Sequence, residues 1–289
     1  MTDAVSSLTR LREEGGFYAL GARTSVRITG TDRLRYLNGQ VSNDVEKLEP
    51  GFARPALVLT AKGKLCADVA IWSEGDSLRI DADPSVAESL QARLARYAVA
   101  DDVEFDFAVS PARFHVFGPG PKLPDGLRIQ RLGSEGVDVD LCPSDWLEAS
   151  LEDVECLRIE RGIPRWGFEL GEDTLPQEAG LERTAVDFHK GCYVGQEVVS
   201  RLQSVGRANR VLTGFLGDFD PAVGRNGVLL SESGAKAGTL TSAIFHAQLK
   251  QTIALGYVSR RVEAQSFSVS SESGACLGRA ERSEFPLVA

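Results

Sequence analysis

The sequence predicts an α+β protein whose C-terminal part is a separate small β domain. Three observations carry this. Between Pro55 and Val109, strand-like runs bracket one amphipathic helix. From Asn209 onward helical periodicity nearly vanishes, and short strand-like runs alternate with Gly/Ser-rich turns. The 29 glycines and 12 prolines in 289 residues favour a turn-rich, strand-rich fold over a helical bundle.

The elements follow in order. Val5, Leu8 and Leu11 recur at helical spacing, and Gly15-Gly16 stops the run. Ser25 to Thr29 alternates as a strand, and Thr31 is placed to cap a short helix carrying Leu34 and Leu37. Pro55 to Thr60 and Leu65 to Trp72 flank Ala61-Lys62-Gly63-Lys64 as a hairpin, with a third strand at Leu78 to Asp81. Asp83-Pro84 opens a helix whose apolar face is Val86, Leu90, Leu94 and Tyr97. Strands at Val103 to Val109 and Phe114 to Phe117 complete a small α+β sandwich. A proline-rich connector spans Pro119 to Pro124. A longer helix is predicted over Trp146 to Ile163, with Trp146, Ser150, Val154, Leu157 and Arg161 on one stripe and Gly162-Ile163-Pro164 ending it. The irregular stretch 164–192 is long enough to be read as functional. Beyond it, Val211 to Leu216, Gly227 to Leu230 and Ile253 to Val258 read as strands, while Ala243 to Leu249 reads either way. The boundary near Ser204 to Arg210 divides the chain into 1–205 and 206–289.

Composition narrows the function classes. Net charge is −9, against the basic balance that phosphate neutralisation demands of a general nucleic-acid binder. No apolar run approaches the ~18 residues of a membrane span, and Met1 to Glu14 has no apolar core of signal-peptide length. The expectation is a cytoplasmic protein with no membrane partner. Five cysteines, none at CxxC spacing, and three scattered histidines give neither a disulfide framework nor a self-contained metal or cluster site.

The chemistry concentrates at Lys190-Gly191-Cys192-Tyr193-Val194-Gly195-Gln196-Glu197. A thiol lies between two glycines, two residues after a lysine, and Val198, Val199 and Leu202 continue as a helix. A helix N-terminus and a neighbouring cation both favour thiolate, with His189 adding charge when protonated. The alternative is a small apolar residue buried in a tight turn.

This segment resembles the K-G-C-[FY]-x-G-Q-E signature of the YgfZ-like proteins, a branch of the glycine-cleavage T-protein superfamily, and meets every specified position. Other segments support the resemblance: Ile28-Thr29-Gly30-Thr31-Asp32-Arg33-Leu34-Arg35-Tyr36-Leu37 running on to Val45, the R-x-E-x-G block at Arg158-Ile159-Glu160-Arg161-Gly162, and Leu175-Pro176-Gln177-Glu178-Ala179-Gly180-Leu181. It spans nearly the whole chain, loosest from about 110 to 150 and after 220.

The resemblance implies a T-protein-like fold: three domains around a central folate site, with two interleaved α+β subdomains in 1–205 and a β-barrel in 206–289. It implies tetrahydrofolate as cofactor, and Fe–S client or assembly proteins, including tRNA-thiolating enzymes, as partners. It assigns function to Cys192, with Lys190 beside it. Glu160 matches the glutamate that grips the pterin's donor-rich edge, and Tyr193, Gly195, Gln196 and Glu197 belong to the same predicted site. Arg201, with Arg207 and Arg210, is the predicted contact for folate's anionic tail. Gly63-Lys64-Leu65-Cys66-Ala67-Asp68 matches the G-G-x-[IL]-D-D block of the aminomethyltransferases, with Ala67 replacing one aspartate and Asp68 kept. Asn43 and Asp44 suit a turn, and Trp166 suits packing or stacking. The leading expectation is an accessory protein for Fe–S enzymes. The alternatives are a folate-dependent aminomethyl- or methyltransferase, and a tRNA-binding modification factor with a weak contact at Arg201, Arg207 and Arg210.

Overall fold

Helix α1 (Ser7–Glu14) buries Leu8 and Leu11. Val5 lies outside the described residues, which in this computed structural model are 7–111, 113–120, 122–204, 206–223 and 225–288. Strand β1 (Gly16–Ala19), strand β2 (Arg23–Thr29) and helix α2 (Arg33–Gln40) follow. Thr31 does not cap α2. Its backbone N–H and its hydroxyl donate to the Asp102 carboxylate at 2.9 and 2.7 Å, and Asp32 takes the N-cap position.

Strands β3 (Arg54–Leu59), β4 (Leu65–Glu74) and β5 (Ser77–Ala82), helix α3 (Ala87–Ala95) and strand β6 (Glu104–Ser110) complete the first layer pair. The antiparallel sheet runs β3-β4-β5-β2-β6. Period-two alternation sorts its faces. Val26, Ile28, Ala67, Ile71 and Ile80 pack with Leu37, Leu90 and Leu94 of α2 and α3. Arg23, Asp68 and Asp81 fall on the other face, which is turned to the centre of the molecule.

Strands β7 (Phe114–Phe117), β8 (Leu127–Arg128) and β9 (Gly136–Val139) join β1 in a second antiparallel sheet, ordered β1-β7-β9-β8. Residues 23–110 are thus inserted between neighbouring strands of this second sheet. A buried ionic chain ties the two sheets together. Asp81 accepts from Arg23 at 2.6 Å and from Arg131 at 3.1 Å, and Arg131 also donates to Asp138 at 2.6 Å. His115 Nδ1 lies 2.9 Å from the same Asp138.

Helix α4 (Leu151–Glu160) is shorter than the predicted 146–163. Residues 147–149 are held extended instead: Phe17 donates to the Leu147 carbonyl and Ala149 donates to the Phe17 carbonyl, both at 2.8 Å. Ser150 then caps the helix in a reciprocal box with Asp153. At the other end Gly162 turns with φ +69°, and a Cβ there would stand 2.6 Å from the Phe285 ring. The stretch 164–192 holds two single-turn helices, α5 (Pro176–Ala179) and α6 (Glu182–Ala185), and is followed by α7 (Gln196–Ser204).

The remaining strands close a barrel: β10 (Arg210–Phe219), β11 (Val228–Leu230), β12 (Lys236–His246), β13 (Gln251–Ser259), β14 (Ser266–Ser270) and β15 (Cys276–Ser283). Their order is β10-β13-β12-β11-β14-β15, which leaves no sheet edge. The ambiguous run at Ala243 to Leu249 is strand as far as His246 and then turns. Phe215, Leu229, Leu240, Phe267 and Val269 fill the barrel. Outside it, Leu157 and Ile159 of α4 pack on Leu212, Ile253 and Leu255. No helix of the described residues is long and apolar enough to cross a membrane.

The ionic chain makes stability depend on pH. Burial pushes the Asp138 carboxyl up, but hydrogen bonds from His115 and Arg131 outweigh it and hold its pKa down at about 2. The folded value lies below the unfolded one, so this contribution is present above about pH 4 and is lost as pH falls towards 2. Asp138→Asn is expected to melt lower at neutral pH and to lose part of the wild-type dependence between pH 4 and 2. Unchanged dependence in thermal melts would show that Asp138 is not responsible.

Candidate functional site

The inner faces of both sheets, the loop 164–185 and the start of the barrel enclose a cavity of about 1330 Å³. Arg23, Asp68 and Asp81 come from the first sheet, Tyr18 and Arg131 from the second sheet and its loops, and Leu212 from the barrel. Domain junctions of this kind are where small-molecule sites form.

The wall has an asymmetric chemistry. Asp68 Oδ1, Gln177 Oε1 and Glu182 Oε2 are buried without a hydrogen-bond partner, and all three residues line the cavity. Every one of these atoms is an acceptor. The unpartnered buried donors among the described residues, such as Arg93 Nη2 and Arg282 Nε, belong to residues outside the lining. Burial pushes the Asp68 carboxyl up, with Arg23 opposing. An unsatisfied buried acceptor costs about 1–3 kcal/mol, and three of them belong to residues that line this cavity. Arg54, Arg128, Arg161 and Arg260 also line the cavity, and none of them is ion-paired among the described residues. Arg161 donates to the Leu132 carbonyl and Ser134 hydroxyl, and Arg128 lies over the Phe52 ring.

Of the predicted cofactor residues, Asp68 lines this cavity; Glu160, Tyr193, Gly195, Gln196, Glu197 and Arg201 do not. Glu160 is buried elsewhere, and both its oxygens are occupied. Arg12 donates to them at 2.6 and 3.2 Å, and His246 Nε2 and Cys156 Sγ lie 3.0 and 3.3 Å from Oε1. The R-x-E-x-G block therefore joins domains: Arg158, two residues earlier, donates to Glu169 at 2.9 Å and to Ser242 of the barrel at 2.7 Å. Cys156, Glu160 and His246 could by spacing hold a metal ion. The Arg12 guanidinium, also 3.1 Å from His246 Nε2, already supplies the cation there.

The cysteine segment forms a second locus, and neither Cys192 nor Lys190 lines the cavity. Cys192 is exposed. Gly195 adopts φ +89°, and a Cβ there would stand 2.6 Å from the Thr60 carbonyl oxygen, so glycine is required for the segment to seat on the β3–β4 hairpin. Lys190 is buried, and its ammonium donates to the carbonyls of Asn38, Val41 and Asn43 at 2.7, 2.9 and 2.7 Å. Burial pulls its pKa down to about 8, with Asp44 and Asp187 opposing. All three of its donors are used in fastening the segment to the end of α2. Tyr193 is buried against Leu57, Leu59 and Val199. Arg201 and Arg207 are exposed, whereas Arg210 pairs with Glu178 at 3.0 Å and covers the Tyr257 ring. Asn43 and Trp166 line the cavity; the Asn43 amide donates to the Pro55 carbonyl.

Sequence reasoning missed Gln177, Glu182 and the four unpaired arginines. Gln177 stands inside a segment already singled out, but nothing local distinguishes an inward acceptor. The arginines are scattered over 54–260 and meet only in the fold.

With this geometry in hand, comparison with known proteins is informative. No protein-family model matches the chain. It is 27% identical over 254 residues to the tRNA-modifying protein YgfZ of Yersinia enterocolitica, covering 76% of this chain and 77% of that protein. It is 26% identical over 290 residues to the mitochondrial aminomethyltransferase of Gallus gallus, covering 80% and 71%. It is 29% identical over 225 residues to a mitochondrial iron-sulfur cluster assembly factor, an IBA57 homologue of Pyricularia oryzae, covering 66% and 54%. The crystal structure of the glycine cleavage system aminomethyltransferase T from Bartonella henselae superposes with a TM-score of 0.79 at 19% identity, over 97% of this chain and 88% of that one. These similarities support a YgfZ-like member of the T-protein superfamily. The mixture of helix and sheet and the closed C-terminal barrel agree with the fold that the resemblance implied.

The clamp role of Lys190 is testable. Lys190→Met keeps the bulk but leaves three carbonyls without a donor, at about 1 kcal/mol each. The melting temperature is expected to fall by roughly 5–10 °C. An unchanged melt together with slowed alkylation of Cys192 would instead make Lys190 an activator of the thiol.

Proposed function

We propose that the chain binds a tetrahydrofolate in the central cavity and acts as an accessory protein for Fe–S enzymes, including those that thiolate tRNA, through Cys192. The observation that carries the folate reading is the set of unpartnered acceptors on the cavity wall, at Asp68, Gln177 and Glu182. A reduced pterin presents ring N–H groups and an amino group along one edge, the complement of such a wall. Asp68 and its neighbours thus take the part that the R-x-E-x-G resemblance assigned to Glu160. The anionic glutamate tail then finds its cations in Arg54, Arg128, Arg161 and Arg260 rather than at Arg201, Arg207 and Arg210.

The accessory role is supported by the kinds of relative the chain has: a tRNA-modifying protein and an iron-sulfur cluster assembly factor. The exposure of Cys192, on a segment tightly fastened beneath it, suits presentation of a thiol to a partner. A second reading, folate-dependent aminomethyl transfer, is favoured by one observation: Asp68, the aspartate kept from the aminomethyltransferase block, stands in the cavity wall with its pKa raised by burial. Turnover of an aminomethyl-lipoyl donor with tetrahydrofolate would establish that reading in place of the first.

Calorimetric titration with tetrahydrofolate under anaerobic conditions separates the residues. Asp68→Asn is expected to weaken binding roughly tenfold, about the loss of one buried hydrogen bond. Glu160→Gln should lower the melting temperature while leaving affinity within about twofold, since its partners lie outside the cavity. The reverse pattern would return the pterin to Glu160, and no binding by the wild type would end the folate reading. Cys192→Ser is expected to keep the fold and folate affinity and to lose function in cells; full complementation by that variant would remove the cysteine from the mechanism.

A further inference from the structure

The cavity and the cysteine segment are separate loci, and Gln177 stands between the cavity and the helix that follows the segment. Gln177 is the second residue of α5 and is more than nine-tenths buried. Its Nε2 donates at 2.9 Å to the carbonyl of Val199, in the middle of α7, the helix that follows Cys192. A carbonyl can only accept, so this bond fixes the amide orientation. The other amide atom, Oε1, is buried without a partner in a residue that lines the cavity.

The surroundings make α5 a rigid mount for this side chain. Leu175, at the N-cap, donates its backbone N–H to Glu178, and the same carboxylate pairs with Arg210 at the start of the barrel. Ala179 packs in the cluster that holds Leu57, Leu59, Tyr193 and Val199. The residue after Gln177 is therefore anchored to the barrel, and its amide reaches into the layer beneath Cys192.

We propose that Gln177 is the positioning residue that couples occupancy of the cavity to the cysteine segment. A ligand N–H fills the vacant Oε1, while Nε2 holds α7 through Val199. Binding then satisfies a buried acceptor and restrains the helix that carries the cysteine segment in one step. Empty, the amide has one bond and α7 is held less firmly. A glutamine is suited to this because donor and acceptor sit on one planar group: fixing either end orients the other. The inference rests on the folate reading for the identity of the ligand, and adds a response at Cys192 that binding alone does not entail.

The test measures two quantities on the full chain: tetrahydrofolate affinity by calorimetry, and the iodoacetamide alkylation rate of the Cys192 peptide by mass spectrometry. The wild type should bind and, when saturated, alkylate roughly threefold or more slowly. Gln177→Leu, which removes both amide atoms, should bind about tenfold or more weakly, the size of one lost buried hydrogen bond. Gln177→Glu keeps an acceptor for the ligand but loses the donor to Val199. Compared at saturating tetrahydrofolate, its Cys192 alkylation should no longer respond to ligand. Circular dichroism melts confirm that each variant is folded. Wild-type affinity in Gln177→Leu, or a full alkylation response in Gln177→Glu, overturns the coupling while leaving folate binding intact. A wild type that binds no tetrahydrofolate overturns both.

Discussion

Everything in this molecule depends on how α4 is pinned. Arg158 and Glu160 stand two residues apart on one short helix and reach different partners. Arg158 engages Glu169 and Ser242, while Glu160 engages Arg12 and His246. Ser242 and His246 both come from β12, so one barrel strand meets two opposite charges on one helix. The N-terminal helix and the loop 164–185 are drawn in by the same pair. The tail closes the arrangement, since Leu287 donates to the Glu160 carbonyl at 2.7 Å. Buried ion pairs add little net stability relative to apolar packing, but removing one partner costs about 3–5 kcal/mol because the other charge is left uncompensated. Such contacts tolerate few alternative geometries. They tie the barrel to the N-terminal helix and to the loop 164–185, and parts of that loop and of the barrel line the cavity.

The cavity is the place where the same economy is relaxed. Other buried carboxylates are saturated: Asp81 serves Arg23 and Arg131, Asp138 serves Arg131 and His115, and Glu169 serves Arg158, Thr241 and Ser242. Among the described residues, Asp68, Gln177 and Glu182 of the cavity lining keep carboxyl or amide oxygens unused. A protein that spends side chains so freely on satisfying buried carboxylates has no shortage of donors. Arg54 and Arg128 stand on the same wall without a carboxylate partner. Leaving acceptors and cations unmatched within one enclosure is destabilising for the empty protein, and the folate proposed above has donors and negative charge to match them.

Part of this was legible in the sequence. The hairpin at 61–64, the helix opened by Asp83-Pro84 and the loss of helical periodicity after Asn209 are local signals, and each corresponds to a structural feature. Asp68 is singled out by the resemblance to the aminomethyltransferase block, and in the fold Ala67, Val69 and Ile71 turn into the core and leave it on the opposite face. What stayed hidden was non-local. Helix α4 was read too long because nothing near residue 147 announces that Phe17 will take its backbone. Glu160 is assigned to the pterin by the R-x-E-x-G resemblance, while its observed partners, Arg12 and His246, lie 148 and 86 residues away along the chain, beyond any local signal. Lys190 was read as a neighbour of the thiol because sequence gives adjacency but not direction, and its side chain turns inward to the carbonyls that end α2.

The two loci also constrain what Cys192 can do. A thiol on an exposed segment outside the cavity lining cannot share a reacting atom with a folate inside it without rearrangement of the chain. Besides the Lys190–Asn43 and Tyr193–Leu57 contacts, two physical links between them run to α7. One is β4, which carries Asp68 on the cavity side and begins at the hairpin whose Gly63 lies against Val198 of α7. The other is α5, through Gln177 and Val199. Both converge on α7 and neither runs through Cys192 itself. Under the proposed coupling, a ligand in the cavity acts on the cysteine segment through α7, with the thiol itself exposed. The Gly195 seat against Thr60 and the three carbonyls that Lys190 holds keep that segment in place outside the cavity lining.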